Sequence, residues 1–314
     1  MHELRLCSFD LCCERTRPVT SPLLTLNNGV TMPALGLGVY QSTPEETAAA
    51  VTTALNGGYR LIDTASGYFN ERQVGDGIRA ADVVREDVFL TTKLWMGDYG
   101  YDRALHAFDT SLAKLQLDYI DLYLLHWPVP GSFDDTVAAY KAAEKMLAEG
   151  RTRAIGVCNF TPEHLAALVE RVDVVPAVNQ VELHPYFQQA DVMAANARHG
   201  VITQAWSPIG GIFTYVDGAD PALNPLDDQT LMSIADAHGK TPAQVMLRWH
   251  FQSGRSAIPK SVTPHRIAEN LDVFDFELTG SELSAISALD RGARGGPDPD
   301  QITPEIFPLD IDEA

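Results

Sequence analysis

The 314-residue sequence predicts an α/β fold, the (β/α)8 or TIM barrel, with an N-terminal β-hairpin and a C-terminal loop. Three observations predict it. A short apolar run recurs eight times, each followed by a turn and an amphipathic stretch. The runs end near residues 38, 64, 92, 125, 157, 181, 205 and 258, and all gaps but the last are about 24 to 33 residues, the size of one strand–helix unit. The runs are continuous and do not alternate, as strands of a parallel sheet buried on both faces must be.

Taken in order, Asn27-Asn28-Gly29 is a hairpin turn that would cap the barrel bottom. The first run is Ala34-Leu35-Gly36-Leu37. Thr43-Pro44-Glu45-Glu46 then supplies a cap, a first-turn proline and a capping-box glutamate ahead of Ala48, Val51 and Leu55. Gly57-Gly58 ends that helix. The next runs are Arg60-Leu61-Ile62, Val88-Phe89-Leu90-Thr91, residues 119–125 and Ala154-Ile155-Gly156-Val157. Thr161-Pro162 opens another helix. Ala177-Val178-Asn179 and Val201-Ile202-Thr203 follow, then a longer gap that must hold an insertion. Thr241-Pro242-Ala243-Gln244 starts the helix before the eighth run, Ser256-Ala257-Ile258.

The ends differ in kind. Glu3, Arg5 and Asp10 break any signal-peptide core, so residues 1–20 read as a disordered leader or an early translation start. Residues 21–314 read as a single barrel domain, with an irregular Gly-, Pro- and Asp-rich tail from about 291. Three of the four cysteines fall in the first 13 residues, which suits a reduced, cytoplasmic setting better than a disulfide scaffold. Cys12-Cys13 with His2 lacks metal-ligand spacing, so no metal is expected. No 18-residue apolar run exists to span a membrane. With 23 basic and 42 acidic residues the net charge is −19, which argues against nucleic-acid or anionic-membrane partners. An anionic ligand would need a local positive cluster. A monomer is expected.

Active sites of such barrels lie at the C-terminal strand ends. Asp63, Lys93, His126, Asn159, Gln180 and Lys260 all fall there, and Tyr68 follows on the loop after Asp63. Asp63, Tyr68, Lys93 and His126 form a proton-transfer set. A lysine ammonium favours the phenolate form of a tyrosine. Asp63 would hold Lys93, and His126 would donate to a carbonyl oxygen as charge develops there. The alternatives are a plain buried ion pair and a structural histidine.

Lys260-Ser261-Val262-Thr263-Pro264-His265-Arg266 runs from the eighth strand into a helix. Thr263 is its cap and Pro264 its first residue, so Arg266 lies in the first turn. A helix N-terminus flanked by Lys260 and Arg266 is an anion site. Glu269 and Asn270, on the same face, would meet the rest of a nucleotide. A solvated charged helix start is the alternative. No G-x-G-x-x-G follows any strand, so a Rossmann unit is absent.

Five ordered motifs carry a family resemblance. They are Gly58-Tyr59-Arg60-Leu61-Ile62-Asp63-Thr64-Ala65, Leu124-Leu125-His126-Trp127-Pro128, Gly156-Val157-Cys158-Asn159-Phe160, Asn179-Gln180-Val181-Glu182 and Ile258-Pro259-Lys260-Ser261. With them the chain resembles the aldo-keto reductases over nearly all of residues 22–295, and most of all the bacterial branch that includes 2,5-diketo-D-gluconate reductases. The resemblance implies a barrel that binds NADPH and reduces aldehydes and ketones, including small carbonyls and keto-sugar acids. It implies Tyr68 as general acid, Lys93 and Asp63 tuning it, and His126 orienting the carbonyl. Asn159 and Gln180 would hold the nicotinamide carboxamide and Trp206 would stack on the ring. Ser207 and the residues to 211 would follow the pyrophosphate. Lys260, Ser261 and Arg266 would take the 2′-phosphate, and Glu269 and Asn270 the adenine. Two positions depart from the family pattern. Cys158 stands where Ser is usual, which predicts a looser carboxamide grip; it reads first as a small buried strand residue, with oxidation that blocks cofactor binding as the alternative. Trp206 stands where many animal members have Tyr, and still stacks.

Tyr40, Trp95, Trp127 and Phe160 follow the first, third, fourth and fifth runs and as a group are expected to wall the substrate pocket, with core packing between strand and helix as the alternative for each. Segments 95–101 and 210–225 read as gating loops, and Phe307 of the tail as a residue within reach of the mouth. Two other functions compete. One is a nicotinamide-sensing binding protein with little turnover, against which the intact four-residue set argues. The other is a Schiff-base enzyme using Lys93, which Asp63 would keep charged and unreactive.

Overall fold

The computed structural model describes residues 21–211, 224–309 and 311. The leader with Cys7, Cys12 and Cys13, and most of the 210–225 segment, lie outside the described residues.

The hairpin pairs β1 (Leu23–Thr25) antiparallel with β2 (Thr31–Pro33). Its turn is anchored to the starts of later strands. Asn28 Nδ2 donates to Arg153 O at 2.9 Å, and Asn27 Nδ2 to Pro176 O at 2.9 Å. The hairpin thereby plugs the N-terminal end of the barrel, with Leu26 and Met32 buried against its inner layer.

Eight parallel strands follow: β3 (Leu37–Gly38), β4 (Leu61–Asp63), β5 (Phe89–Leu94), β6 (Ile120–Leu125), β7 (Thr152–Cys158), β8 (Val178–Glu182), β9 (Ile202–Trp206) and β10 (Ser256–Ala257). Each pairs with the next in chain order. The first and last meet through Gly36 N to Ala257 O at 3.0 Å and Gly38 N to Pro259 O at 3.1 Å. The sheet therefore has no free edge. The helices are α1 (Pro44–Gly57), α2 (Glu71–Ala80), α3 (Tyr101–Leu115), α4 (Phe133–Ala148), α5 (Pro162–Val169), α6 (Ala190–Arg198), α7 (Gln229–His238), α8 (Pro242–Gln252), α9 (Pro264–Leu271) and α10 (Gly280–Ser287). The predicted starts at Thr43, Thr161 and Thr241 all carry capping boxes, and Gly58 ends α1 in the left-handed region at φ 114°. The longer last gap holds α7 as well as a loop, because Asp228 caps a helix there through Thr230 N and Leu231 N.

Strand side chains split by parity into two layers. Leu61, Leu122, Leu124, Ala154, Cys158, Val178 and Ile258 fill the barrel interior. Ile62, Leu90, Tyr123, Leu125, Ile155 and Val157 pack outward under the helices. This parity positions the site. Asp63 lies two residues after Leu61, and Gln180 two after Val178, so both face inward at the C-terminal rim.

Candidate active site

Lys93 is fully buried at the end of β5. Its Nζ donates to Asp63 Oδ1 at 2.5 Å, to Thr64 O at 2.8 Å and to the Tyr68 hydroxyl at 3.4 Å. Ser66 Oγ donates to Lys93 O at 2.9 Å and ties the 3-10 turn Ser66–Tyr68 to β5. Tyr68 therefore sits on a short turn clamped to the strand that carries Lys93. The ammonium also lies 4.9 Å from the centre of the Tyr68 ring. Burial pushes the Asp63 carboxyl above its ordinary range, while Lys93 and then Gln180 pull it back.

His126 follows β6 and is 8 % exposed. Its ring stands edge-on to Tyr68 at 5.6 Å and to Trp95 at 5.1 Å. Burial, then the nearby Lys93 charge, holds the imidazole well below its usual range, so it is neutral at pH 7. Asp63, Tyr68, Lys93 and His126 thus meet at one end of the barrel.

The two amides are committed to neighbours. Gln180 Nε2 donates to Asp63 Oδ2 at 2.7 Å and to Gln204 Oε1 at 2.7 Å, leaving its oxygen. Asn159, in the left-handed region at φ 62°, donates from Nδ2 to His126 O at 3.1 Å. Its Oδ1 accepts from Trp206 Nε1 at 2.8 Å. Trp206 ends β9 at the rim, and Ser207 follows at φ 49°. Cys158 points inward and is 1 % exposed. Burial pushes its thiol far up, so the reactive thiolate is suppressed. This burial suits the reading of Cys158 as a small interior strand residue.

The predicted anion site follows β10 at the start of α9. Thr263 occupies the N-cap of α9 but its side chain makes no capping bond. It instead donates its backbone N–H to Ser261 Oγ at 3.2 Å. The first N–H groups of α9 are left for a ligand. Lys260 and Arg266 are exposed beside it, and neither forms a salt bridge among the described residues. Asn270 is buried, and the half-buried Glu269 accepts at Oε1 from Thr241 Oγ1 at 2.9 Å.

Three of the four predicted pocket aromatics lie against the candidate catalytic residues Tyr68 and His126. Tyr40 lies 4.9 Å from Tyr68 and Trp127 stacks on His126 at 6.3 Å, while Trp95 meets His126 as above. Phe160 does not join them. The left-handed turn at Asn159 directs it outward, where it is 1 % exposed and packs 6.3 Å from Phe133 and 6.0 Å from His164. The tail reaches the mouth, where Trp95 Nε1 donates to Phe307 O at 3.3 Å. Sequence reasoning missed Ser66, Gln204 and Glu182. Inward parity on β8 and β9 is the signal that finds the last two. Nothing local marks Ser66.

The profile described as the Aldo/keto reductase family matches residues 32–291. Morphine 6-dehydrogenase from Pseudomonas putida is 56% identical over 289 residues, covering 91% of this chain and 97% of that protein. Methylglyoxal reductase DkgA from Escherichia coli K12 is 49% identical over 279 residues, covering 89% and 97%. Among solved structures, an aldo/keto reductase from Brucella melitensis superposes with a TM-score of 0.80 at 47% identity, covering 86% of this chain and 100% of that one. A Bombyx mori aldo-keto reductase in complex with NADP superposes with a TM-score of 0.83 at 36% identity, covering 90% and 97%.

Proposed function

Since the chain belongs to the aldo/keto reductase family, we propose that Tyr68, Lys93, Asp63 and His126 carry out its NADPH-dependent reduction of aldehydes and ketones. Bound NADPH supplies the hydride. The remaining work falls to side chains of this chain. His126, neutral and buried, donates a hydrogen bond to the carbonyl oxygen. Tyr68 delivers the proton that turns the alkoxide into an alcohol. The Lys93 ammonium, 3.4 Å from the Tyr68 oxygen, stabilises the phenolate left behind. Asp63 holds that ammonium in place.

The observation that carries this reading is the Asp63–Lys93–Tyr68 chain ending beside a neutral His126. The uncapped start of α9 with Lys260, Ser261 and Arg266 suits the 2′-phosphate, and Glu269 and Asn270 suit the adenine. Asn159, Gln180 and Cys158 line the carboxamide site, Trp206 is the stacking surface and Ser207 begins the pyrophosphate track. Tyr40, Trp95 and Trp127 select small carbonyl substrates, in line with the methylglyoxal reductase relative. The reading extends to one barrel unit from residue 21 onward, a monomer in the cytoplasm, where a reduced Cys158 is at home.

The test is loss of nicotinamide absorbance with a panel of small aldehydes and keto acids, for the wild type and Tyr68→Phe. We expect turnover in the wild type and a loss of about 100- to 10,000-fold in the variant, the usual contribution of a general acid. NADPH affinity should stay within a factor of about two, since the hydroxyl acts only on the substrate oxygen. Unchanged turnover in Tyr68→Phe would sink the assignment.

A further inference from the structure

Glu182, the last residue of β8, has no part in the chemistry above, yet its carboxylate is buried with 1 % exposure. A buried carboxylate is costly unless hydrogen bonds compensate it. Here they come from the tail. Gly295 N donates to Oε1 at 2.7 Å and Gly296 N to Oε2 at 2.9 Å, while His184 Nε2 lies 3.2 Å from Oε1. Two successive backbone N–H groups thus grip the two oxygens of one side chain.

What the grip holds in place is a contact with Trp206. Glu182 and Trp206 are direct neighbours in the β8–β9 register. A Cβ on Gly296 would stand 2.5 Å from Trp206 Cη2 and 3.0 Å from Glu182 Oε2, so only glycine lets the tail lie this close to the indole. The other side of the indole is fixed by its Nε1 bond to Asn159 Oδ1 at 2.8 Å. The ring is therefore set from its pyrrole edge by the fifth barrel strand and from its benzo edge by the tail. On either side of residues 295–296 the tail is tied again. Arg291 N and Ala293 N both donate to Tyr186 O, at 3.1 and 3.0 Å, and Asp300 pairs with His164 at 3.2 Å.

We propose that Glu182 is a positioning residue that clamps tail glycines 295 and 296 against Trp206, and so fixes the indole surface on which the nicotinamide stacks. This rests on the reading of Trp206 as that surface. It makes cofactor affinity depend on the tail, through a carboxylate that touches neither cofactor nor substrate.

The test uses the full chain and three variants: Glu182→Gln, Gly296→Ala and Trp206→Ala, together with the Glu182→Gln/Gly296→Ala double. NADPH dissociation constants come from quenching of tryptophan emission, and kcat and KM from turnover of methylglyoxal at saturating NADPH. Glu182→Gln and Gly296→Ala should each weaken NADPH about five- to twenty-fold, the size of one perturbed contact. The double variant should be no worse than the worse single, because both act on one contact. At saturating NADPH, kcat should change less than about threefold, a split that general destabilisation does not produce. If Trp206→Ala weakens NADPH while the two clamp variants bind as the wild type, the clamp is wrong and the stacking surface stands. If Trp206→Ala itself binds normally, both fall. Additive losses in the double variant, or losses in kcat alone, would also overturn the clamp. Should Glu182→Gln fail to fold, Gly296→Ala, in the partly exposed tail, still decides the matter.

Discussion

A lysine with no solvent exposure survives only if every proton on its ammonium finds an acceptor. Lys93 finds three in Asp63, Thr64 and Tyr68, and one of them is the group argued to lose a proton during turnover. Arg266 is the opposite case, an exposed cation with no salt-bridge partner among the described residues. That makes it available to a phosphate. Arg266→Ala should raise the NADPH dissociation constant about 10- to 100-fold, from a charge-assisted contact of about 1.5–3 kcal/mol. NADH, lacking the 2′-phosphate, should bind nearly as before. Titration of both cofactors checks this, and equal losses would remove Arg266 from the 2′-phosphate site. The residue identities of this site were legible in the sequence, because strand-end position and charge are local properties. Their partners were less so. Gln180 spends both its N–H groups on Asp63 and Gln204, which leaves its oxygen as the group for the carboxamide, and nothing near it in the sequence announces those two partners.

At the scale of elements, strand parity and helix capping do most of the positioning. Glycines mark where two elements meet too closely for a side chain. A Cβ on Gly156, in β7, would stand 2.4 Å from Val178 O and 2.8 Å from a Leu124 methyl, one a backbone atom that cannot swing away. Gly156→Ala should cost about 1–3 kcal/mol by overpacking. Gly57, at the end of α1, meets nothing within 4 Å, so Gly57→Ala should be neutral or stabilise by up to about 1 kcal/mol. Urea midpoints of the two variants measure the contrast. Helix starts were legible from Thr-Pro pairs, since capping is written within four residues. Phe160 was misread because the left-handed turn at Asn159 reverses the expected inward direction, and nothing in the local sequence announces that turn.

At the scale of the whole molecule, three buried histidines contribute to the acid limb of stability. His126 and His250 are held well below 6.5 and His164 below it, in each case first by burial. Their unfolded forms therefore take up protons before the folded ones do. Their contribution is complete above about pH 6.5 and is lost as pH falls below it, by up to about 1.4 kcal/mol per pH unit for each group. The buried carboxyls Asp63 and Glu71 are shifted upward and act in the opposite sense. The decisive measurement is thus a difference between melting temperatures at pH 7.5 and 5.5 for the wild type and for His250→Gln. The variant should lose less on acidification, and an equal loss in both would contradict the assignment.

The sequence by itself determined the eight strand–helix units, the candidate catalytic residues at the strand ends and the positive cluster proposed for the anionic cofactor of a chain of net charge −19. These are written in spacing, parity and charge within a few residues. Only the tertiary structure decided how the barrel closes between Gly38 and Pro259, where Phe160 points, and how the tail is pinned by Glu182 onto Trp206 and brought to Trp95. The closure and tail bonds Gly38–Pro259, Glu182–Gly296 and Trp95–Phe307 each join residues more than a hundred positions apart, and their geometry follows from packing the whole chain, which no local pattern encodes.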